Sequence, residues 1–295
     1  MRHLTGGERS SHSETKAAQT LDRAMDLLRH VAGSREAGAS LSELIRASGL
    51  TKPTTRRLLI SLIENGLVEQ REKDRRYYVG AETYALGMMA SSRFGIERLA
   101  VESLRRLAKR SGDAALLTIQ SGYQTVCVGR EEGDFPLRSH VLQPGHRHPL
   151  GVGAAGLALL AAMPDEEIEW ALSANESVLS RNYTYLHPSV LKREVTRTRK
   201  RGYAVNPGMV VKGSWGVAVA LRDLRSGVPA ALTIAGIESR FQNGRIEQLV
   251  AMLEDEKRAL KATLHEACSG GAHAAAMDGK LTPYDSAQSR RSHYV

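Results

Sequence analysis

Apolar positions recur at helical spacing three times in the first eighty residues. The first run starts near Thr20, where order is expected to begin, and ends at Gly33. The second follows Ser40 and stops at Gly49, and Glu43, three residues after Ser40, completes the pattern of a capping box. This part of the chain is therefore predicted to hold short helices joined by tight turns.

The third helix is followed by a hairpin. It is predicted to begin after Thr51, the expected N-cap, to carry Pro53 in its first turn and to end at Gly66. Two short β-prone runs then flank a charged turn. Three helices and a hairpin in this order predict a winged helix-turn-helix, to which we assign residues 16–80.

The pattern changes in the rest of the chain and predicts a second, larger domain. A long helical region over residues 81–112, interrupted near Ser91-Ser92 and Gly95, is expected to be a linker helix that continues into this domain. Beyond it, short apolar runs that predict strands alternate with longer periodic runs that predict helices. Residues 113–268 are therefore expected to form an antiparallel sheet with helices, which makes the fold class α+β.

The two ends of the chain show no apolar period. Residues 1–15 are rich in Ser, Gly, His and charge, which predicts a flexible arm. Residues 269–295 are rich in Gly, Ala and Ser, which predicts a disordered tail.

Composition narrows the class of protein. The 295 residues are 42% hydrophobic and 25% charged, as in an ordinary globular protein of two domains. No apolar stretch approaches the roughly 20 residues that span a bilayer, and the N-terminal residues lack a signal sequence, so a cytoplasmic protein without a membrane partner is expected. Cys127 and Cys268 lie too far apart in sequence to suggest a metal knuckle, and both are expected to be reduced thiols.

The net charge of +9 favours a polyanionic partner only weakly, because the excess is spread over both parts of the chain. Local patterning is more informative. In a helix-turn-helix the N-terminal side chains of the second helix meet the major groove, where Arg can bond guanine, Thr can contact a base and Lys can neutralise phosphate. On the third predicted helix the DNA-binding residues are expected to be Lys52, Thr54, Thr55, Arg56 and Arg57.

The hairpin adds a second basic group. Arg75 and Arg76, with Arg71 and Lys73, are predicted to touch flanking phosphates or to reach a minor groove. Three acidic residues alternate with them in the sequence: Glu69, Glu72 and Asp74. For the basic pairs, a solvated surface face is the alternative to a DNA contact.

The run from Leu41 to Leu59, LSELIRASGLTKPTTRRLL, resembles the winged helix-turn-helix of IclR-type bacterial transcription regulators. The resemblance extends to about residue 268, through Pro149-Leu150, Ala154-Ala155-Gly156 and the run RGYAVN at 201–206, at roughly the family's spacing. It implies a GAF-like effector-binding domain and a homodimer or tetramer. One departure is Ile45, where a small residue is usual at the crossing of two helices.

The same resemblance implies a pocket for a small organic or aromatic acid, between the sheet and the loop that leads into a helix. Carried over by position, the effector-binding residues are His148, Ala154, Ala155, Asn206 and Gly216, with Trp215 beside them as a residue that could stack on a ring. Ala154 and Ala155 open the predicted helix 153–163, and free N–H groups at a helix N-terminus bind carboxylates.

Two departures in the implied pocket bear on its ligand. Where the family often carries an acidic residue and a Cys, this chain has Asn206, Met209 and Gly216. The pocket is expected to be less acidic and roomier, which favours an aromatic or otherwise apolar acid. Two alternatives stay open: residues 153–156 are small for close packing alone, and Trp215 belongs to the core.

Enzyme chemistry finds little support in the sequence. His140, His146 and His148 suggest a metal site, but no carboxylate or Cys stands at a recognisable ligand spacing. Cys127 is most simply a buried strand residue, and no phosphate-binding loop or dinucleotide glycine pattern occurs. We therefore expect no catalytic residue, metal or cofactor.

The sequence as a whole predicts a ligand-responsive, DNA-binding regulator of a catabolic pathway. A dimer of helix-turn-helix domains is expected to read an inverted-repeat operator on double-stranded DNA. Two alternatives remain: a small-molecule enzyme with an appended DNA-binding domain, and an architectural DNA-binding protein without an effector.

Overall fold

The structure is a computed structural model that describes residues 8–94, 96–137, 142–222 and 228–275. It divides into two compact units, residues 1–95 with 143–147 and residues 96–142 with 148–295. None of the helices in the described ranges is long and apolar enough to cross a bilayer.

The first unit has the predicted order of helices and hairpin. Its elements are α1 (Glu8–Gly33), a 3₁₀ turn (Arg35–Ala37), α2 (Leu41–Ser48), α3 (Lys52–Glu64), β1 (Val68–Gln70), β2 (Tyr77–Val79) and α4 (Ala81–Phe94). Strands β1 and β2 pair antiparallel, and Ala39 adds a bridge to Tyr77. Leu27, Leu44 and Leu59 are buried from three different helices, so the unit has its own core.

Local sequence chemistry explains how α2 begins and ends. The Glu43 N–H donates to Ser40 Oγ at 3.3 Å, and the Ser40 N–H donates to Glu43 Oε2 at 2.7 Å, which completes the predicted capping box. Gly49 closes the helix with φ +66°, a left-handed conformation that glycine adopts without strain. Thr51 occupies the N-cap position of α3, but its side chain makes no cap hydrogen bond; its hydroxyl donates to Thr54 Oγ1 at 3.0 Å instead.

The second unit is a six-stranded sheet with helices on both faces. Its elements are α5 (Ile96–Ser111), β3 (Ala114–Ser121), β4 (Gln124–Glu131), β5 (Arg147–Pro149), α6 (Gly153–Ala161), α7 (Asp165–Asn182), α8 (Pro188–Arg201), β6 (Ala204–Pro207), β7 (Ser214–Leu221), β8 (Ala230–Ile237) and α9 (Arg245–Ala275), with a 3₁₀ turn at Glu238–Phe241. The strand order is β5-β4-β3-β8-β7-β6, and the pairs β3–β4, β3–β8, β7–β8 and β6–β7 are antiparallel. This is the α+β fold that the pattern predicts.

Alternate side chains along each strand point to opposite faces of the sheet, one covered by α5 and α9 and the other by α6. On β3, Ala115 and Leu117 pack into the core that α5 and α9 cover. Leu116 and Thr118 point to the opposite face, toward the side on which α6 packs. The buried β3 side chains under α5 and α9 are therefore apolar, whereas those on the opposite face include both apolar and polar groups.

Several boundaries differ from those predicted. The helix α1 begins at Glu8, so residues 8–15 of the predicted arm are helical, and α9 continues through residues 269–275 of the predicted tail. The predicted linker over 81–112 consists of two helices, of which α5 packs against β3, β4 and α9 as part of the second unit. The division between Phe94 and Ile96 coincides with the interruption that the sequence shows near Gly95.

Candidate nucleic-acid interface and ligand cavity

The helix α3 separates its apolar residues from its basic ones. Leu58, Leu59 and Leu62 are buried against the rest of the first unit. Lys52, Arg56 and Arg57 are exposed, and Thr54 is half-buried beside Thr51. The basic side chains are therefore displayed as a helix entering a major groove requires.

Thr55, predicted to contact DNA, belongs to the core instead. It is fully buried, and its hydroxyl donates to the Thr51 carbonyl oxygen at 3.0 Å. Its helical position explains this, because Thr55 lies in the same buried stripe as Leu58, Leu59 and Leu62. The prediction for Thr55 followed from side-chain chemistry and overlooked the helical period.

The two wing arginines have different surroundings. Arg75 lies at the exposed tip of the hairpin, with φ +56°. Arg76 is half-buried and donates to the Gly38 carbonyl oxygen at 3.1 Å and to Glu43 Oε2 at 2.8 Å. Arg76 therefore ties the hairpin to the capped start of α2, and its contact with DNA stays a prediction.

A groove runs between α3 and the hairpin. Lys52, Arg56 and Ile60 line it from α3, and Arg75 lines it from the wing. Ile60 is exposed and was missed by the chemical search, although its spacing of four residues from Arg56 puts both on one helix face. An exposed branched apolar side chain beside an arginine offers a contact for a thymine methyl group.

The second unit contains a cavity between the sheet and the start of α6. About 70 Å³ of it is accessible to the centre of a water molecule. This is room for several waters or for a small organic ligand. The structure brings all the predicted effector residues together in its lining, namely His148, Ala154, Ala155, Asn206, Trp215 and Gly216.

The first turn of α6 forms one end of the cavity. Val152 occupies the N-cap position without a side-chain cap, so the first N–H groups of the helix have no capping side chain. A Cβ added to Gly216 would lie 3.5 Å from Ala154 Cβ, which means that any side chain at 216 would fill this end. The absence of side-chain bulk keeps the helix terminus open to a ligand, and the helix dipole favours an anion there.

Asn206 and His148 complete the polar part of this lining. Asn206 Oδ1 accepts the Met209 N–H at 3.0 Å, so its amide nitrogen is the remaining donor group. His148 Nδ1 lies 2.8 Å from the Tyr183 hydroxyl, and the His148 carbonyl oxygen accepts the Thr125 hydroxyl at 3.2 Å. Burial raises the pKa of Tyr183, which keeps its phenol neutral.

Trp215 borders the cavity, but its ring is engaged elsewhere. The ring centroids of Trp215 and Phe241 are 6.3 Å apart, and Trp215 packs against the core beneath α5 and α9. The prediction that its ring stacks on a ligand is therefore replaced by a core role, the alternative that the sequence had left open.

The cavity residues that sequence reasoning missed include Thr118, Arg130 and Thr233. The Arg130 side chain is 4% exposed; its Nη1 donates to the Leu142 carbonyl oxygen at 2.6 Å and its Nε to Glu132 Oε1 at 2.8 Å. A bulge in the β3–β4 pairing, between Leu117 and Thr118, shifts the alternation along β4. Strict alternation from Cys127 would place residue 129 on the cavity face, whereas the bulge places Arg130 there.

The metal hypothesis receives no geometric support from the described part of the chain. It contains no group of three or more His, Cys, Asp or Glu side chains placed to hold an ion. His146 precedes β5, His148 lies on it, and His140 lies outside the described residues. Cys127 is buried in the cavity wall, with its Sγ 3.5 Å from the Gly129 carbonyl oxygen.

A winged helix-turn-helix followed by an α+β unit with a mostly apolar cavity defines a ligand-responsive DNA-binding regulator of transcription. The chain matches the family model of the IclR helix-turn-helix domain over residues 20–72 and that of the bacterial transcriptional regulator IclR C-terminal domain over residues 88–262. It belongs to the IclR family of bacterial transcriptional regulators.

Individual relatives agree with this assignment. The chain is 30% identical to the glycerol operon regulatory protein of Streptomyces coelicolor, over 83% of this chain and 96% of that protein. It is similar to the crystal structure of the Thermotoga maritima IclR, with a TM-score of 0.60 and 27% identity over 84% of this chain and 99% of that one. The fold is also that of an IclR homolog from Microbacterium hydrocarbonoxydans complexed with 4-hydroxybenzoate, with a TM-score of 0.64 and 22% identity over 84% of this chain and 99% of that one.

Proposed function

We propose that this regulator senses a small organic acid, aromatic acids included, in the cavity of its second unit. The observation that carries the proposal is the first turn of α6, where Ala154 and Ala155 border the cavity and no side chain caps the helix. The Microbacterium homolog with bound 4-hydroxybenzoate offers a precedent for an aromatic acid in this fold. The genes under control would then serve the catabolism of that acid.

The test of the cavity compares ligand binding with DNA binding. Calorimetry with candidate aromatic and aliphatic acids is run beside gel shifts on the promoter fragment, for the natural chain and for Ala155→Leu. We expect the leucine to fill the α6 end, so that the acid neither binds nor alters DNA affinity, while DNA binding without ligand is retained. This follows from linkage, because a ligand shifts an equilibrium only through its different affinities for two states.

A matched change outside the cavity controls for folding. Ala162→Leu places the same side chain just beyond the end of α6, at a half-exposed position. It should leave both ligand binding and response intact. Unchanged acid binding in Ala155→Leu would place the effector elsewhere and overturn the proposal.

For DNA we propose that Lys52, Arg56 and Arg57 on α3, with Arg75 on the wing, contact an inverted-repeat operator. Paired half-sites would lie about one helical turn apart, roughly 34 Å, or a multiple of it. Ile60 would contact a thymine methyl near the base that Arg56 reads. Footprinting that showed a single half-site protected by a monomer would contradict this.

The proposed homo-oligomer has a candidate surface on α4. Tyr84, Leu86, Met88 and Met89 are exposed on this helix, an apolar group of the kind that marks an interaction surface. A second copy fits it, since an inverted repeat requires two copies related by a two-fold axis. Sedimentation should show an oligomer that Met88→Glu shifts toward monomer; a natural chain that is monomeric at micromolar concentration would contradict this.

The enzyme alternative is tested by turnover. The relatives named above are regulators, and we propose that this chain likewise changes no ligand covalently. Incubation with the acids that alter DNA binding should leave them unconsumed; product formed at a rate that scales with protein concentration would favour the enzyme.

A further inference from the structure

Two threonine hydroxyl groups are buried in the cavity wall. Thr118 is 1% exposed and Thr233 is 6% exposed, and among the described residues neither Oγ1 has a hydrogen-bond partner. Both residues line the cavity. Buried polar side chains are nearly always hydrogen-bonded, as Thr125 is on the same wall through the His148 carbonyl oxygen. Two exceptions on one wall point to a ligand that supplies the missing partner.

Arg130 adds a buried cation to that wall. Its register partner on β3 is Leu116, and Leu116 pairs in turn with Thr233 on β8, so Arg130 and Thr233 share one row across the sheet. Strands lie about 4.8 Å apart, which puts the two backbones roughly 10 Å apart, with the long arginine side chain between them. Thr118 follows Leu116 by two residues on the same face. Hydroxyl and guanidinium groups are all donors, so this part of the wall suits an oxygen acceptor.

The α6 end of the cavity lies farther along the sheet. Gly216, which Ala154 approaches, is on β7, the strand beyond β8. The lining therefore offers donors at two places: the first turn of α6 at β7, and the group of Thr118, Arg130 and Thr233 on β3, β4 and β8. Apolar Leu116 and Ala235 line the same cavity beside them.

We infer that the effector is a two-ended acid, whose second oxygen-bearing group binds to Thr118, Thr233 and Arg130 while its first carboxylate binds at α6. A dicarboxylate satisfies these donors best, because Arg130 brings a positive charge into a site of low polarity. Glu132 Oε1 binds the Nε edge of the Arg130 guanidinium at 2.8 Å, so the second group of the ligand would share this guanidinium with the Glu132 carboxylate. This inference rests on the proposed function, since it names the ligand class of the same cavity.

The test uses two matched series of acids: benzoate, 4-hydroxybenzoate and benzene-1,4-dicarboxylate, and butanoate, 4-hydroxybutanoate and butanedioate. Calorimetry on the full chain should show that the two-ended acids of at least one series bind about ten-fold tighter than its monocarboxylate, the sum of two modest hydrogen bonds. In Thr118→Val and Thr233→Val this preference should fall to within about three-fold, whereas monocarboxylate binding stays unchanged. Arg130→Lys, which keeps the charge, should retain more preference for the dicarboxylate over the hydroxy acid than Arg130→Met.

A second readout needs no ligand. Because the two hydroxyls are buried without partners, Thr118→Val and Thr233→Val should raise the melting temperature of the free protein. The control Thr125→Val removes a hydroxyl that has a partner and should lower it. A fall in melting temperature for Thr118→Val would overturn the inference, as would equal binding of monocarboxylates and two-ended acids. Failure of the proposed function looks different: none of the six acids binds, and Ala155→Leu behaves as the natural chain does.

Discussion

The DNA-facing groove of the first unit and the buried frame of the second unit place their charged side chains in opposite ways. On α3 of the first unit, Lys52 and Arg56 are exposed and border an open groove. In the second unit the Asp113 and Arg130 side chains are 2% and 4% exposed, and each is held in ion pairs. Exposed charge remains available to an external polyanion, whereas buried charge must be satisfied inside and so fixes the shape around it. The difference separates the surface that we propose to contact DNA from a frame that surrounds a cavity.

The largest effect is expected where the buried network is broken. Asp113 accepts from Arg240 Nε at 2.7 Å and from Arg245 at 3.3 Å. Asp113→Ala removes the buried carboxylate that two partly buried arginines share and should cost about 3–5 kcal/mol of unfolding free energy. Chemical denaturation followed by tryptophan fluorescence measures this, since Trp170 and Trp215 both lie in the second unit.

The control for Asp113 is an exposed pair in the same unit. Asp165 is 85% exposed and lies 2.7 Å from Arg199. Asp165→Ala should cost at most about 1 kcal/mol, because solvent screens the pair. Equal losses for the two variants would mean that burial does not distinguish these charges and would break the comparison.

The second effect concerns the exposed charge of the first unit. If Arg56 reads a base, Arg56→Ala should weaken specific DNA binding by about 1–3 kcal/mol and relax the preference at one position of the operator. Gel shifts on a set of single-base operator variants measure both. Arg29→Ala, which removes an exposed arginine of α1 paired with Asp26, is the matched control and should change neither. A loss that is uniform over all sequences would assign Arg56 to phosphate.

The contrast between the units also explains what the sequence could reveal. In the first unit, structure follows local signals: the capping box at Ser40 and Glu43, the left-handed Gly49 and the apolar period of α3 are all readable in short windows. The helical period of α3 also predicts that Thr55 is buried, because it lies on the same face as Leu58, Leu59 and Leu62. The role of Arg76 was not readable, because its partner Glu43 lies 33 residues away.

In the second unit, short motifs located one end of the cavity and missed the other. Ala154, Ala155 and Gly216 are small residues in recognisable runs, and the structure gathers them at one end. Arg130 reaches the wall only because of a bulge, and a one-residue shift of register sends a side chain to the other face of a sheet. Pairing between distant strands, which no local pattern specifies, decides that part of the lining.

A smaller effect should separate the two functions of Asn206. If its amide nitrogen donates to the effector, Asn206→Ala should weaken ligand binding by about 0.5–1.5 kcal/mol, the value of one hydrogen bond. Asn206→Asp keeps an oxygen for the Met209 N–H but places a negative charge near a bound carboxylate. Calorimetry should therefore rank Asp below Ala. If Asp binds the acid as the natural chain does, Asn206 serves only the loop.

The smallest effect belongs to an exposed charge that nevertheless shapes the first unit. Hydrogen bonds from Ser40, above all from its backbone N–H, lower the pKa of Glu43 from its ordinary value of 4.5, and Arg76 adds to this. A carboxylate whose pKa is lower in the folded state stabilises that state above its unfolded pKa, and the stabilisation disappears as pH falls through the folded pKa. The start of α2 should therefore loosen in acid below pH 4.5.

The control is Glu43→Gln, which keeps an acceptor for the Ser40 N–H without titrating. The capping box of this variant should show no loss of stability in acid. Hydrogen exchange of the peptide that contains residues 40–50, expressed as protection factors at several pH values, checks this in both chains. Identical pH profiles would show that the box holds its helix without the charge on Glu43.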